Sequence, residues 1–194
     1  MKALAAMAAP LDGPQALTSL LEAARSGDLA AFEMLMRRHE RLVLATALRL
    51  LGCMEDAQDA SQEVFLRLYR NLGKVTATEN LPGWLYRVTV NICHDFRRRH
   101  PEVALSTEDF DFASPDADPQ QAATEGERRR VLEMSLRLLS EKERAALVLR
   151  DLEGLPTEEV AAILGTSQAT VRSQIFKARI KMRDFVERYF RRRQ

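Results

Sequence analysis

The stretch TEEVAAILGTSQATVRSQIFKARIKMR, residues 157–183, has the layout of a helix-turn-helix. Pro156 suits the first turn of the first helix. Gly165 can adopt the left-handed backbone conformation that the tight turn requires. Ser167 can cap a second helix, which the pattern predicts from Gln168 to about Phe185. The stretch therefore predicts two helices that cross closely at a short turn.

The second of these helices is amphipathic. Its predicted buried stripe consists of Val171, Ile175, Ala178 and Met182. Its opposite side carries Arg172, Ser173, Phe176, Lys177, Arg179 and Lys181. A helix of this kind fits the major groove of DNA, where arginine reads guanine and shorter polar groups reach base edges or phosphates. Helical pairs of the same shape also occur in purely structural bundles, so the motif alone leaves both interpretations open.

The distribution of charge favours the DNA-binding interpretation. Although the net charge is only +1, residues 165–194 contain nine basic and two acidic side chains. Residues 101–127 contain eight acidic side chains and no basic one. A cationic segment behind an acidic spacer is typical of a nucleic-acid-binding C-terminal part, whereas charge by itself would fit a solvated helix face equally well.

The acidic segment 101–127 also divides the chain. It contains Pro101, Pro115 and Pro119 and lacks a sustained apolar helical period, so we expect a flexible linker. Residues 14–100 and 128–194 would form one domain each, and residues 1–13 a disordered lead-in.

Both predicted domains consist of helices. In the first, a helix lies between Gly27-Asp28 and Gly52, a second ends at Gly73, and a third follows Pro82 and ends before Pro101. In the second, Ser140-Glu141-Lys142-Glu143 is a capping box that starts a helix ending near Gly154. No alternating β-branched stretch of useful length occurs. The fold class is therefore all-α, with two small helical domains.

Several function classes lack support. No apolar run approaches the roughly 18 residues of a spanning helix, which predicts a soluble protein without direct membrane insertion. Cys53 and Cys93 form no CxxC pair and suit buried apolar roles in a reducing cytoplasm. Asp56, Asp59 and Glu63 lack a histidine at ligand spacing, so a solvated acidic face is favoured over a metal site. No nucleotide-binding or catalytic motif is present, and we expect neither enzymatic activity, nor a metal, nor a cofactor.

Three segments resemble bacterial RNA polymerase sigma factors. Residues 154–167, with Thr170-Val171-Arg172-Ser173 and Lys177-Ala178-Arg179, resemble region four. DAQDASQEVF, residues 56–65, resembles the polymerase-binding helix of region two. LPGWLYRV, residues 81–88, with Asn91, Asp95 and Arg97-Arg98, resembles its promoter-melting helix. The resemblance covers about residues 15–190. With two domains and no additional region, the chain is similar to the extracytoplasmic-function (ECF) subfamily.

The resemblance implies three sets of site residues. The polymerase-binding set is Asp56, Asp59, Gln62 and Glu63. The minus-ten DNA-binding set is Asn80, Trp84, Arg87, Asn91, Arg97 and Arg98. The minus-thirty-five DNA-binding set is Gln168, Thr170, Arg172, Ser173, Gln174, Phe176, Lys177 and Arg179. An acidic patch suits electrostatic steering towards a basic partner, and interleaved aromatic and cationic groups suit a single strand. Gln174 departs from the family, because many relatives carry Arg or Lys there.

The implied function is that of a cytoplasmic sigma factor. Such a protein binds core RNA polymerase, directs it to promoter DNA and helps to melt the minus-ten element, while the polymerase performs the chemistry. The resemblance also implies control by an anti-sigma factor. Two alternatives remain at this point. A one- or two-component regulator would bind DNA through a similar motif but would need a ligand pocket or phosphoacceptor domain. A helical adaptor would leave the basic surplus of residues 165–194 unexplained.

Overall fold

The structure, a computed structural model, describes residues 14–73, 81–99 and 119–192, with side chains described for 16–73, 81–99 and 126–192. Every regular element in these ranges is helical, and none is a strand. The elements are α1 (Pro14–Arg25), α2 (Leu29–Leu51), α3 (Met54–Asn71), α4 (Leu81–Arg99), α5 (Pro119–Arg137), α6 (Glu141–Leu147), a π-helical segment (Val148–Leu152), α7 (Thr157–Leu164) and α8 (Gln168–Arg191). The all-α prediction is confirmed for these residues.

The N-terminal lobe consists of α1 to α4, and capping residues define both ends of its central helix, α2. The Asp28 carboxylate accepts hydrogen bonds from the backbone N–H groups of Ala30 and Ala31 at 2.9 and 3.2 Å, as a helix N-cap does. Gly52 ends the helix with a φ of 76°, a conformation that costs glycine little. The apolar faces of α2, α3 and α4 meet in a core whose fully buried side chains include Leu35, Val43, Leu68, Leu85 and Ile92.

The C-terminal lobe consists of α5 to α8. Ser140 and Glu143 form the predicted capping box at the start of α6. The helix continues into the π-helical segment rather than stopping, and the chain turns at Gly154. Gly165, with a φ of 61°, separates α7 from α8, and the Ser167 hydroxyl accepts a hydrogen bond from the N–H of Thr170 at 3.1 Å. The helix-turn-helix prediction is therefore confirmed, with Val171, Ile175 and Ala178 buried beneath it.

The two lobes pack against each other. Helix α4 lies against α7, while α2 contacts α6 and the π-helical segment. Apolar side chains of both lobes belong to one continuous core cluster. The free thiols of Cys53 and Cys93 are both buried, as predicted, and Cys93 belongs to this core. Burial raises the pKa of Cys93 to about 12.

Two sequence-based boundaries are wrong. Helix α5 begins at Pro119, so residues 119–127 are not a flexible linker. Its first half lacks an apolar stripe and contains Thr124 and Gly126 among better helix formers, so periodicity missed it. Helix α8 continues to Arg191 rather than ending near Phe185, because Val186 and Tyr189 extend the half-buried stripe and no helix breaker intervenes. The predicted lead-in 1–13 and linker residues 101–118 lie outside the described residues.

Candidate polymerase and DNA interfaces

The predicted polymerase-binding residues share the outer face of α3. Ala57, Ala60, Val64 and Leu68 turn inward to the core, which leaves Asp59 and Gln62 exposed on the opposite face. Asp56 and Glu63 are half-buried beside them. Glu63 pairs with Arg67, one turn further on, at 3.0 Å, a half-buried i,i+4 pair of small energetic value. The predicted acidic face is therefore present, although the positive charge of Arg67 offsets the negative charge of Glu63.

Two apolar side chains on this face were not predicted as site residues. Leu66 is 49% exposed and Tyr69 is 51% exposed, and both extend the α3 face that begins at Asp59 and Gln62. Tyr69 packs edge-on against Phe32 of α2, with ring centroids 5.1 Å apart. Exposed apolar anchors flanked by charges are typical of protein-binding surfaces. The sequence signal was available, because Leu66 falls on the polar side of an amphipathic helix.

The predicted minus-ten residues on α4 differ in their exposure to solvent. Arg87, Asn91, His94 and Arg98 are exposed at three- and four-residue steps along one side. Trp84 is half-buried and packs on the core, so its ring has one covered and one accessible part. Arg98 lies 3.5 Å from Asp95. Asn80 lies outside the described residues.

Arg97 differs from the other α4 cations, since it turns towards the C-terminal lobe. It lines a cavity of about 500 Å³ between the lobes, together with Asn91 and His94 of α4 and Thr170 and Gln174 of α8. Its Nε atom is buried without a hydrogen-bond partner, and burial lowers the pKa of its guanidinium. His94 bridges the same gap through Nε2, 3.1 Å from the Glu141 carboxylate.

The predicted minus-thirty-five residues line the outer side of α8. The exposed members of this set are Gln168, Thr170, Arg172, Ser173, Phe176, Lys177 and Arg179. Arg172 donates to the Gln168 side chain at 3.1 Å, which holds both near the N-terminal end of the helix. Phe176 is 66% exposed. Gln174 is half-buried in the interlobe cavity and does not share the free outer face in this arrangement.

Two cations on α8 are bound within the lobe. Arg179 makes a bidentate pair with Asp151 at 2.9 and 2.8 Å, and this pairing raises the pKa of its guanidinium. Lys181 donates to Glu143 at 2.7 Å. Burial alone would raise the pKa of Glu143, but hydrogen bonds from Lys181 and Ser140 outweigh it and hold that pKa below its usual value. Both cations thus position α8 on the rest of the lobe.

Other site chemistries find no support in the described part of the chain. No group of histidine, cysteine and carboxylate side chains there has the arrangement of a metal site. No helix that the structure describes is both long and apolar enough to cross a bilayer. The described surface offers an acidic and apolar face on α3 and two helices, α4 and α8, rich in arginine and polar groups.

Comparison with known proteins agrees with this geometry. Sigma-70 region 2 matches residues 35–101 and Sigma-70 region 4 matches residues 129–182. The ECF RNA polymerase sigma factor SigE of Mycolicibacterium smegmatis is 35% identical over 186 residues, covering 93% of this chain and 71% of the relative. The RNA polymerase sigma-H factor of Pseudomonas aeruginosa is 32% identical, covering 82% of this chain and 88% of the relative. Among solved structures, CnrH in complex with the cytosolic domain of CnrY superposes with a TM-score of 0.64 at 27% identity, covering 88% of this chain and 96% of CnrH.

Proposed function

This chain belongs to the extracytoplasmic-function sigma factors of bacterial RNA polymerase, and we propose how its two lobes divide promoter recognition. The observation that supports this proposal most is that region 2 and region 4 both occur in this one chain, in that order. Each region has an exposed helix face that suits its own partner. The region-two match decides against a regulator that has only the helix-turn-helix. The chain is a transcription initiation factor that binds core polymerase and promoter DNA.

The face of α3 is the contact with core polymerase. Asp59 and Gln62 supply exposed acidic and polar groups, which would steer the factor towards a basic surface. Leu66 and Tyr69 supply apolar area at the end of the same face, which gives such an interface its stability. Charge would thus accelerate encounter, and apolar burial would slow dissociation.

Helix α4 holds the melted minus-ten strand. Arg87, Asn91 and Arg98 lie along one exposed side, where cations can track a strand of phosphates. Trp84 offers a partly accessible ring at the start of the same helix, and stacking of a base on an aromatic ring contributes about 1–3 kcal/mol. Asn80 belongs to this proposal through the family resemblance only.

Helix α8 reads the duplex minus-thirty-five element. Arg172 lies in the second turn after the Ser167 cap, near the helix end that normally enters the major groove. Lys177 lies five residues further along α8 and is exposed. We assign base reading to Arg172 and phosphate contact to Lys177.

The regulation of this factor and its place in the cell are part of the same proposal. CnrH was solved in complex with the cytosolic domain of CnrY, and the family resemblance supports control of this chain by an anti-sigma factor. The factor works in the cytoplasm with the polymerase, and the polymerase performs the catalytic chemistry.

Run-off transcription with purified core polymerase tests the proposal. Pooled genomic fragments serve as template, and transcript 5′ ends are mapped by sequencing. We expect transcripts only when the factor is added, with shared sequence elements near positions −35 and −10. A regulator would be silent without a second sigma factor, and an adaptor would produce no transcripts under any condition. Either result would overturn the assignment.

A further inference from the structure

A second cavity, of about 580 Å³, lies between α2 of the N-terminal lobe and α5 of the C-terminal lobe. Apart from Gly52 and Arg144, all of its lining residues belong to these two helices. None of the residues assigned above to polymerase or promoter binding is among them. We call this space the α2–α5 cavity. Its volume falls within the roughly 300–1,000 Å³ that small-molecule sites occupy.

The two helices present the same sequence pattern to this cavity. The segments are RLVLATALR, residues 41–49 of α2, and RRVLEMSLR, residues 129–137 of α5. In both segments the first, fourth, fifth, eighth and ninth positions line the cavity, which is the spacing of one face of an α-helix. The first and ninth positions are arginine in both segments, and the fourth and eighth are leucine. Each helix therefore contributes an apolar strip with a guanidinium group at either end.

The lining carries a surplus of positive charge. Five arginines line the cavity, but only one carboxylate does, that of Glu133. Arg49 is paired with Glu153, whereas Arg137 and Arg144 donate to backbone carbonyls at the end of α2, at 3.2 and 2.8 Å. Carbonyls satisfy these donors but leave the positive charge in place. Burial lowers the pKa of Arg144, and the charge of Arg137 lowers it further, so a bound anion would offset the repulsion between these cations.

The combination of groups fits a ligand that has both phosphates and a flat ring. Planar guanidinium groups bind phosphate through two parallel hydrogen bonds, and they also stack on rings. Leu44 and Leu48 of α2, with Leu132 and Leu136 of α5, supply the apolar surface between the arginines. The faces of a nucleobase suit such a surface, because their burial removes apolar area from water. An inorganic anion would use the arginines but would leave the leucines in water.

We propose that the α2–α5 cavity binds a nucleotide with two or more phosphates, with Arg41 and Arg129 on the phosphates and the leucines of both helices against the base. Arg41 is exposed and Arg129 is half-buried, so both guanidinium groups reach solvent from which a ligand arrives. Arg137 and Arg144 add electrostatic attraction while they keep their carbonyl partners. This site does not depend on the assignments made above for polymerase and promoter contacts.

Isothermal titration calorimetry of the full chain tests the proposal. The probes are ADP and GDP, with pyrophosphate and the two nucleosides as partial ligands, all in the absence of Mg²⁺. We expect at least one nucleotide to bind tenfold or more tightly than pyrophosphate or its own nucleoside, because only the nucleotide uses both the arginines and the leucines. The same nucleotide should raise the midpoint of thermal unfolding, since it binds the folded chain only.

Variants of the full chain then locate the site. Arg41→Gln and Arg129→Gln should each weaken nucleotide binding about tenfold, because each removes a charge-assisted hydrogen bond to phosphate. Leu132→Ala should weaken nucleotide binding but leave pyrophosphate binding unchanged. Arg128→Gln is the matched control, since Arg128 is exposed beside Arg129 on α5 and does not line the cavity. It should bind the nucleotide as the wild type does, and circular dichroism checks that every variant keeps its helix content.

Three results would overturn the proposal. If neither ADP nor GDP binds at about 1 mM, the cavity is not a nucleotide site. If pyrophosphate binds as tightly as the nucleotides, the leucines take no part and the assignment to a nucleotide is wrong. If Arg128→Gln loses as much affinity as Arg129→Gln, the attraction comes from net charge rather than from this cavity. Should Leu132→Ala fail to fold, the two arginine variants and their control still decide.

Discussion

Arg144 donates a hydrogen bond from Nη1 to the backbone carbonyl of Leu50, 2.8 Å away across the lobe boundary. The same guanidinium bonds the carbonyls of Leu136, Arg137 and Leu139, and its residue is only 3% exposed. It is surrounded by carbonyl acceptors rather than by a carboxylate. Burial lowers the pKa of Arg144 to about 10, so the group remains charged at neutral pH. A buried cation thus ties the end of α2 to α5 and α6.

Replacing Arg144 should cost substantial stability. Arg144→Met removes a donor from four backbone carbonyls, of which only that of Leu136 keeps another, the N–H of Leu139. Unsatisfied buried groups cost about 1–3 kcal/mol each when no water reaches them. We expect the free energy of unfolding in urea to fall by about 3 kcal/mol. Arg183→Met, which changes an exposed arginine of α8, should stay within about 0.5 kcal/mol of wild type. A comparable loss in both variants would contradict the structural role given to Arg144.

Glu143 should make the free energy of unfolding depend on pH in the acidic range. Its pKa in the folded protein lies below the ordinary value of 4.5, so its stabilising contribution is fully present above that value and is lost as pH falls through the folded pKa. Glu143→Gln should be less stable than wild type at pH 7, and its unfolding free energy should fall less steeply below pH 4.5. Urea unfolding at pH 7 and at several lower pH values measures this. Parallel curves for the two proteins would exclude a contribution from Glu143.

The α3 face should contribute to polymerase binding through both charge and apolar area. Leu66→Ala should weaken affinity for core polymerase about tenfold, since truncating an interface anchor costs more than about 1 kcal/mol. Asp59→Ala with Glu63→Ala should weaken it most at low salt, because screening removes their long-range attraction. Glu40→Ala, an exposed acid on α2, is the control. Direct titration of labelled factor against core polymerase decides, and unchanged affinity in both test variants would remove the proposed interface.

Arg172 and Lys177 should affect DNA binding differently. Arg172→Ala should relax preference at one base pair, because a bidentate contact of arginine with guanine is worth about 1–3 kcal/mol of discrimination. Lys177→Ala should weaken binding to every sequence and reduce the salt slope by about one. Binding to all single-base variants of the minus-thirty-five element at fixed salt separates the two effects. A uniform loss in Arg172→Ala would mean that α8 enters the groove in another orientation.

Gln174 should affect base preference only when the lobes are apart. In this arrangement Gln174 lines the interlobe cavity, and Gln174→Arg would place a new cation there beside Arg97. On bound promoter DNA, with the lobes apart, the same substitution would shift base preference towards guanine, because arginine pairs with guanine in the major groove. We expect a changed base preference at one neighbouring position in the same variant series. If no position changes, Gln174 contacts only backbone or water.

The elements that sequence predicted well are those set by short-range chemistry. The capping box at Ser140, the cap at Ser167, the helix end at Gly52 and the left-handed Gly165 all act within one helical turn. The buried stripe of α8 was visible because helical spacing aligns its members on one face. The same periodicity predicted that Asp59 and Gln62 face outward on α3, since the inward positions fix the outward ones, whereas their role in polymerase binding came from the family resemblance.

The missed features have weaker or longer-range signals. The π-helical segment has no distinctive composition, and the start of α5 has helix propensity without an apolar stripe. Arg144 occupies a position where sequence reasoning expects a solvated charge, because arginine is almost never fully buried unless its donors are satisfied. Those acceptors are carbonyls from α2, from α5 and from the turn before α6, which no local pattern reveals.

By itself, the sequence determined the helical class, the helix-turn-helix, the position of its recognition helix and the family to which both regions belong. These depend on periodicity, on caps and on motifs confined to a few turns. Only the tertiary structure decided that Glu153 is held by Thr46, Arg49 and Tyr86, and that residues of both DNA-binding sets face one cavity. These contacts join residues 67 or more positions apart, and such pairings arise from the packing of whole helices, which spacing along the chain does not encode.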